Sequence, residues 1–182
     1  IELPGRVTIR SLAFAMESVA STVRSGGDPD SAHDSDTHAA TVHLMCGATN
    51  GMLYRVETPH FRASKDAIAI HRSEAMVNAL AVSPDGEMLC YVDKKDGVSM
   101  LSVLSISPDL QLRSSWSQPQ SGEVTCIAIA QSTEGAAVFD LEVACGLRCR
   151  KPSGGDKAAT GKVVVFDLHG HGDLQWSHDI DR

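Results

Sequence analysis

Two stretches of this sequence carry the residue types of a metal site. Asp28, Asp30, Asp34 and Asp36 alternate with His33 and His38, carboxylates suiting calcium and imidazoles suiting zinc. The second is His169-Gly170-His171-Gly172-Asp173. Spacing argues against both. A helix-loop-helix calcium loop needs Gly at its sixth position and Glu at its twelfth, and neither falls in register here. The alternate histidines bring no third ligand, and their two glycines are what a turn requires. Residues 17–40 therefore read as a solvated acidic loop and residues 169–173 as a turn. The sequence predicts neither a metal nor any other cofactor.

Five cysteines, Cys46, Cys90, Cys126, Cys145 and Cys149, are an odd number, and most lie in apolar runs. Buried, reduced thiols acting as small hydrophobes account for them, which suits an intracellular protein, cytoplasmic or nuclear. The sequence holds no Gly-x-Ser-x-Gly elbow, no phosphate-binding Gly-Lys-Ser/Thr loop and no His-Glu-x-x-His pair. The expectation is a protein that is not an enzyme.

Basic residues offer recognition chemistry instead. Lys94 and Lys95 stand in one turn; Arg148, Arg150, Lys151, Lys157 and Lys162 crowd a second segment. Ammonium and guanidinium groups gathered on one rim favour an acidic peptide, a phosphorylated partner or an RNA backbone. The formal net charge of −7 argues against a general nucleic-acid binder, so RNA is a possible partner and not the favoured one. A solubilising, flexible loop is the favoured reading of the second segment, since charge runs usually mark solvated surface.

The elements that must position these groups are strands. Residues 77–104 hold three apolar runs parted by two turns, Ser83-Pro84-Asp85-Gly86 and Lys94-Lys95-Asp96-Gly97. Proline presets φ in the first, and Asp-Gly supplies the positive φ of a hairpin turn in the second. At least one of Gly86 and Gly97 is expected at positive φ.

The unit repeats. IRSLAFA (9–15), VNALAVS (77–83) and VTCIAIA (124–130) share one pattern, with Leu12, Leu80 and Ile127 aligned and Ala13, Ala81 and Ala128 beside them. LMCG (44–47) matches VACG (143–146), and GMLYRVE (51–57) matches GKVVVFD (161–167). Fourth strands are expected at 67–71, 110–114 and 174–177. Consecutive copies begin about 46 residues apart once the first insertion is subtracted, near the spacing of a four-stranded propeller blade.

On these residues the chain resembles the WD40 family of β-propellers. Ser83-Pro84-Asp85-Gly86 matches that family's first turn, Asp96-Gly97 its second, and Phe166-Asp167 stands where Trp-Asp would. The Gly-His before the first strand and a true Trp-Asp are missing from every copy, so the family's His–Ser–Trp–Asp hydrogen-bond set cannot form. The resemblance implies an all-β fold of about three four-stranded antiparallel blades, a partial propeller. Residues 1–72 form a blade with the acidic insertion at about 17–40, residues 73–117 a second, and residues 118–182 a third with the basic insertion at about 148–160.

Propellers close with 4 to 8 blades, so three leave two apolar flanks to be covered. The remaining blades of the same polypeptide, or another subunit, would cover them, and an initiator Met is missing as it would be from part of a longer chain. No apolar run reaches the roughly 20 residues of a membrane-spanning helix. The implied role is a protein-interaction scaffold in an intracellular assembly. The alternatives are an RNA-processing or ribosome-assembly component using the basic rim, and part of a propeller enzyme whose active site lies outside this chain. Leu12, Leu80 and Ile127 are all expected to be buried, with Ala13, Ala81 and Ala128 at close approaches between blades.

Overall fold

A computed structural model describes residues 7–16, 42–57, 67–106, 112–131, 141–149, 160–168 and 174–180. The acidic segment 17–40, the 169–173 turn, and Arg150, Lys151 and Lys157 lie outside them.

Twelve strands form three four-stranded antiparallel sheets. Blade 1 is β1 (Ile9–Met16), β2 (Val42–Ala48), β3 (Met52–Glu57) and β4 (Ala67–Arg72); blade 2 is β5 (Val77–Val82), β6 (Met88–Lys95), β7 (Val98–Ile106) and β8 (Leu112–Pro119); blade 3 is β9 (Glu123–Gln131), β10 (Leu141–Cys149), β11 (Thr160–Asp167) and β12 (Leu174–Ile180). Each sheet is an up-and-down meander in chain order. The first strands of successive blades, β1 to β5 and β5 to β9, make the main contacts between sheets. These are propeller blades stacked side by side.

The hairpin chemistry is as the residue types require. Gly51, Gly86 and Gly97 have φ of 79°, 78° and 83°, and Asp96 joins Gly97 at 51°, a pair of positive φ values that turns β6 tightly into β7. In the Ser83–Gly86 turn, Ser83 Oγ accepts the Met88 amide at 2.9 Å and Asp85 Oδ1 accepts the Glu87 amide at 3.0 Å.

The repeat extends to irregularities that no residue pattern shows. Each first strand skips one residue in its pairing, at Arg10, Asn78 and Thr125. Each fourth strand does likewise, at Ile70, Ser115 and Gln175. Bulges at equivalent places bend and twist each blade alike, so the three stack with a common geometry. Strand β8 runs to Pro119 rather than ending near 114, because Met100 to Ile106 pair along its whole length. The second blade boundary accordingly falls in the connection 120–122.

Two seams hold the blades together. Ala13, Ala15, Met45 and Leu53 of blade 1 pack against Val77, Leu80, Val82, Leu89, Tyr91, Leu104 and Ile106 of blade 2. Ala79, Met88, Cys90, Val92, Leu101 and Val103 of blade 2 pack against Val124, Ile127, Ile129, Val143, Cys145 and Phe166 of blade 3. Blade 1 buries Leu44, Cys46, Tyr54 and Val56 on its other face as well. Burial pushes the Cys46 thiol up to about 11 and the Cys145 thiol up to about 12, which keeps both as neutral hydrophobes. Cys126 by contrast is exposed.

One expectation is corrected. Leu80 is 6% exposed and Ile127 is half-buried, but Leu12 is 54% exposed. The three do occupy equivalent positions: Leu12 pairs with Cys46, Leu80 with Tyr91 and Ile127 with Cys145, in each case a short way past the bulge. Leu80 and Ile127 point toward the preceding blade, and Leu12 takes the equivalent side of β1, so alternation dictates the outcome. Among the described residues no blade precedes blade 1, so Leu12 faces outward. The same logic exposes Ala128, which points toward the side where a following blade would stand, whereas Ala13 and Ala81 are half-buried.

Candidate functional site

The rim of the β6–β7 and β10–β11 ends gathers the described basic residues of the sequence reading. Lys94, last but one in β6, reaches Glu123 at the start of β9, with Nζ to Oε1 at 3.4 Å. Arg148, near the end of β10, approaches the other oxygen of the same carboxylate at 3.9 Å. Lys95 pairs with Glu74 in the connection between blades 1 and 2, and this raises the lysine's pKa. Arg148 lies inside β10 rather than in the insertion, because Arg148 and Cys149 pair with Gly161 and Thr160. Lys162 sits in β11 opposite Asp179.

Two glutamates that the residue pattern did not single out therefore organise this rim. Glu123 bridges blades 2 and 3 through one cation from each, and Glu74 binds the connection to the blade 2 turn. All the partners are solvent-exposed, so water and salt screen each pair and it contributes little stability. Their effect is on the field: the rim presents alternating charge. The signal available in sequence was an acidic residue at the entry to the second and third blades, Glu74 three residues ahead of Val77 and Glu123 directly ahead of Val124.

Beneath the rim lies a buried polar clasp. Ser73, 5% exposed, donates from Oγ to Asp93 Oδ2. Its amide donates to the Gly51 carbonyl at 2.8 Å, and its hydroxyl accepts the Ala75 amide at 3.3 Å. Tyr91 OH lies 3.3 Å from His71 Nε2, the rings tilted at 53°. Burial lowers the pKa of His71 and raises that of Tyr91. One serine thus ties the blade 1 turn, the connection and strand β6 together, while His71 of β4 reaches across to Tyr91 of β6. Asp93 Oδ1 is buried without a hydrogen-bond partner among the described residues.

A matching contact joins blades 2 and 3. Ser99 Oγ accepts the Val124 amide at 3.2 Å, and the Ser99 carbonyl accepts the Gln120 amide at 2.8 Å. Around the inner edge, the bulged residues Arg10, Asn78 and Thr125 are one per blade. Thr125 Oγ1 donates to the Gly146 carbonyl at 3.1 Å. Among the described residues, no three His, Cys, Asp or Glu side chains are grouped to hold a metal ion. No described helix is long and apolar enough to cross a membrane.

No protein-family model matches the sequence, and no curated protein matches it. The fold is found among solved structures. The chain is similar to hydrazine synthase of Kuenenia stuttgartiensis, a propeller-containing protein, with a TM-score of 0.50 and 14% identity. The likeness covers 74% of this chain and 38% of that one. The chain thus spans well under half the length of the structure it matches. At that identity the likeness speaks for the propeller fold alone.

Proposed function

We propose that this chain is a WD40-like run of propeller blades that serves as a non-catalytic interaction scaffold in an intracellular assembly. Its ring is completed by blades beyond these three. The observation that carries the reading is the repeated seam, with a face at either end that no described blade covers. Two inter-blade cores are built alike, yet Leu12 and Phe14 at the start are 54% and 65% exposed. An apolar inner strand left open in this way is a surface for association.

Two further observations support it. The Ser83–Gly86 turn closes through the Ser and Asp side chains that the WD40-like motif supplies. The residues bulged toward the inner edge are an arginine, an amide and a hydroxyl, which suit hydrogen bonding to a partner better than general acid–base work. Glu74 and Glu123 support a protein partner over RNA. They pair with Lys94, Lys95 and Arg148 of the rim, and carboxylates repel a phosphate backbone.

The test is a tagged, cross-linked purification of the protein from its native cell. Stoichiometric protein partners are expected. A free, uncomplexed monomer, or turnover of a substrate by the complete protein, would sink the scaffold reading.

A further inference from the structure

The inner edge of blades 1 and 2 carries two hydrogen-bond donors that the fold leaves open. Arg10 in β1 and Asn78 in β5 are the residues their strands skip in pairing. A bulge takes its residue out of the ladder and re-aims the side chain. Arg10 is exposed and Asn78 is half-buried. Among the described residues, neither the guanidinium nor the side-chain amide has a hydrogen-bond or ion-pair partner. Thr125, the third bulged residue, differs, because its Oγ1 already donates to the Gly146 carbonyl.

The two open donors belong to neighbouring bulges. Ser11 follows Arg10 in the chain, and Val77 precedes Asn78. Ser11 Oγ and Val77 Cγ1 lie 2.5 and 2.6 Å from one point, the place a Cβ on Gly47 would take. The seam thus sets the bulge of β1 beside the bulge of β5, where the two first strands are in direct contact.

The adjoining rim shows what such cations take. Lys95 holds Glu74, and Lys94 and Arg148 share Glu123. Glu123 stands directly ahead of Val124, and the matching place ahead of Ile9 is the uncharged Thr8. Blade 1 therefore offers a cation on its inner strand without the acid that blade 3 carries at the strand entry.

We propose that Arg10 and Asn78 bind the carboxylate of an aspartate or glutamate side chain on a partner protein. The inference rests on the scaffold reading and names the group that the scaffold grips. One guanidinium matches one negative charge, and its fork meets both carboxylate oxygens through two parallel N–H donors. Asn78 Nδ2 adds a third donor. Half-buried, that amide has less access to water than an exposed one and gains more from a fixed acceptor. A phosphomonoester brings about 1.5 to 2 negative charges, and Lys94, Lys95 and Arg148, which could answer the second, are held by Glu74 and Glu123.

An NMR titration of the intact protein, labelled with nitrogen-15 in arginine and asparagine, tests this. The probe is a blocked Gly-Gly-Glu-Gly-Gly peptide, with its Gln and phosphoserine counterparts as controls. The Arg10 Nε–H and Asn78 side-chain amide signals should move saturably with the Glu peptide and stay still with the Gln peptide. Arg10→Gln, read at Asn78, should raise the dissociation constant by about tenfold or more. Arg10→Lys keeps the charge but loses the fork, so it should fall between. Arg72→Gln makes the same change of charge at an exposed arginine of the outer strand β4 and should leave binding as it was. No movement of the two signals, equal movement with the Gln peptide, or equal losses in Arg10→Gln and Arg72→Gln would each overturn the site. Saturation by the phosphoserine peptide at lower concentration would overturn the choice of a carboxylate. If the Glu peptide fails while cross-linking in the cell still returns stoichiometric partners, the carboxylate site falls and the scaffold reading stands.

Discussion

Leu80 of blade 2 stands against Gly47 of blade 1, its Cδ2 3.1 Å from where a Cβ on that glycine would lie. Ser11 Oγ and Val77 Cγ1 are nearer still, at 2.5 and 2.6 Å. Gly47→Ala should therefore overpack the seam and cost about 1 to 3 kcal/mol. Urea unfolding measures it, and an unchanged midpoint would mean the blades are free to part at this place.

Gly97 presents the opposite case. A Cβ there meets nothing within 4 Å, yet its φ is 83°. Gly97→Val should destabilise by roughly 1 to 3 kcal/mol through backbone strain alone. Gly97→Asn, which tolerates the left-handed region, should recover part of that loss. Equal stability of the two variants would show that the turn conformation is not what matters.

Ser73 donates to the buried Asp93 carboxylate. Ser73→Ala leaves that carboxylate without its hydrogen bond and should cost about 1 to 3 kcal/mol. Replacing Asp93 by Ala in the same chain should cost less than the two single changes summed, because the orphaned charge goes with it. Strict additivity in thermal or chemical unfolding would remove the clasp from the account.

Acid should weaken the chain through His71. Its pKa is lowered in the folded state by burial, so the unfolded chain takes up the proton first. Stability is then complete above the ordinary histidine value of 6.5 and falls as pH drops below it toward the folded value. The urea midpoint at pH 7.5 should exceed that at pH 5.5, and His71→Gln should flatten the difference. An unchanged slope in that variant would assign the pH dependence to other groups.

Glu123 touches Lys94 and Arg148 from the solvent side. Glu123→Gln should therefore change stability by less than about 1 kcal/mol while making the rim more basic. Binding of an acidic peptide or single-stranded RNA to the intact protein should gain salt sensitivity in this variant. A large stability loss would mean the rim bridges the blades more strongly than exposed ion pairs do.

The sequence by itself determined what is local. Asp96-Gly97 and Asn50-Gly51 specify tight turns because positive φ is available to few residues, and Gly97 and Gly51 adopt it at 83° and 79°. The spacing of the aliphatic-Ala-apolar pattern aligned Leu12, Leu80 and Ile127 in the register that the pairing of all three blades shows. Only the tertiary structure decided which of these positions is covered. A strand has two faces at every residue step, and both faces of this repeat are apolar, so the pattern carries no record of the neighbour's presence. Leu12 and Leu80 share position and chemistry; one is 54% exposed and the other 6%, since among the described residues a blade stands in front of Leu80 and none in front of Leu12. Charge behaves in the same way. Lys94 and Arg148 read as a basic rim in a linear chain, but the fold brings Glu123 between them from 29 residues beyond Lys94, and a contact at that separation exists only once two blades have stacked.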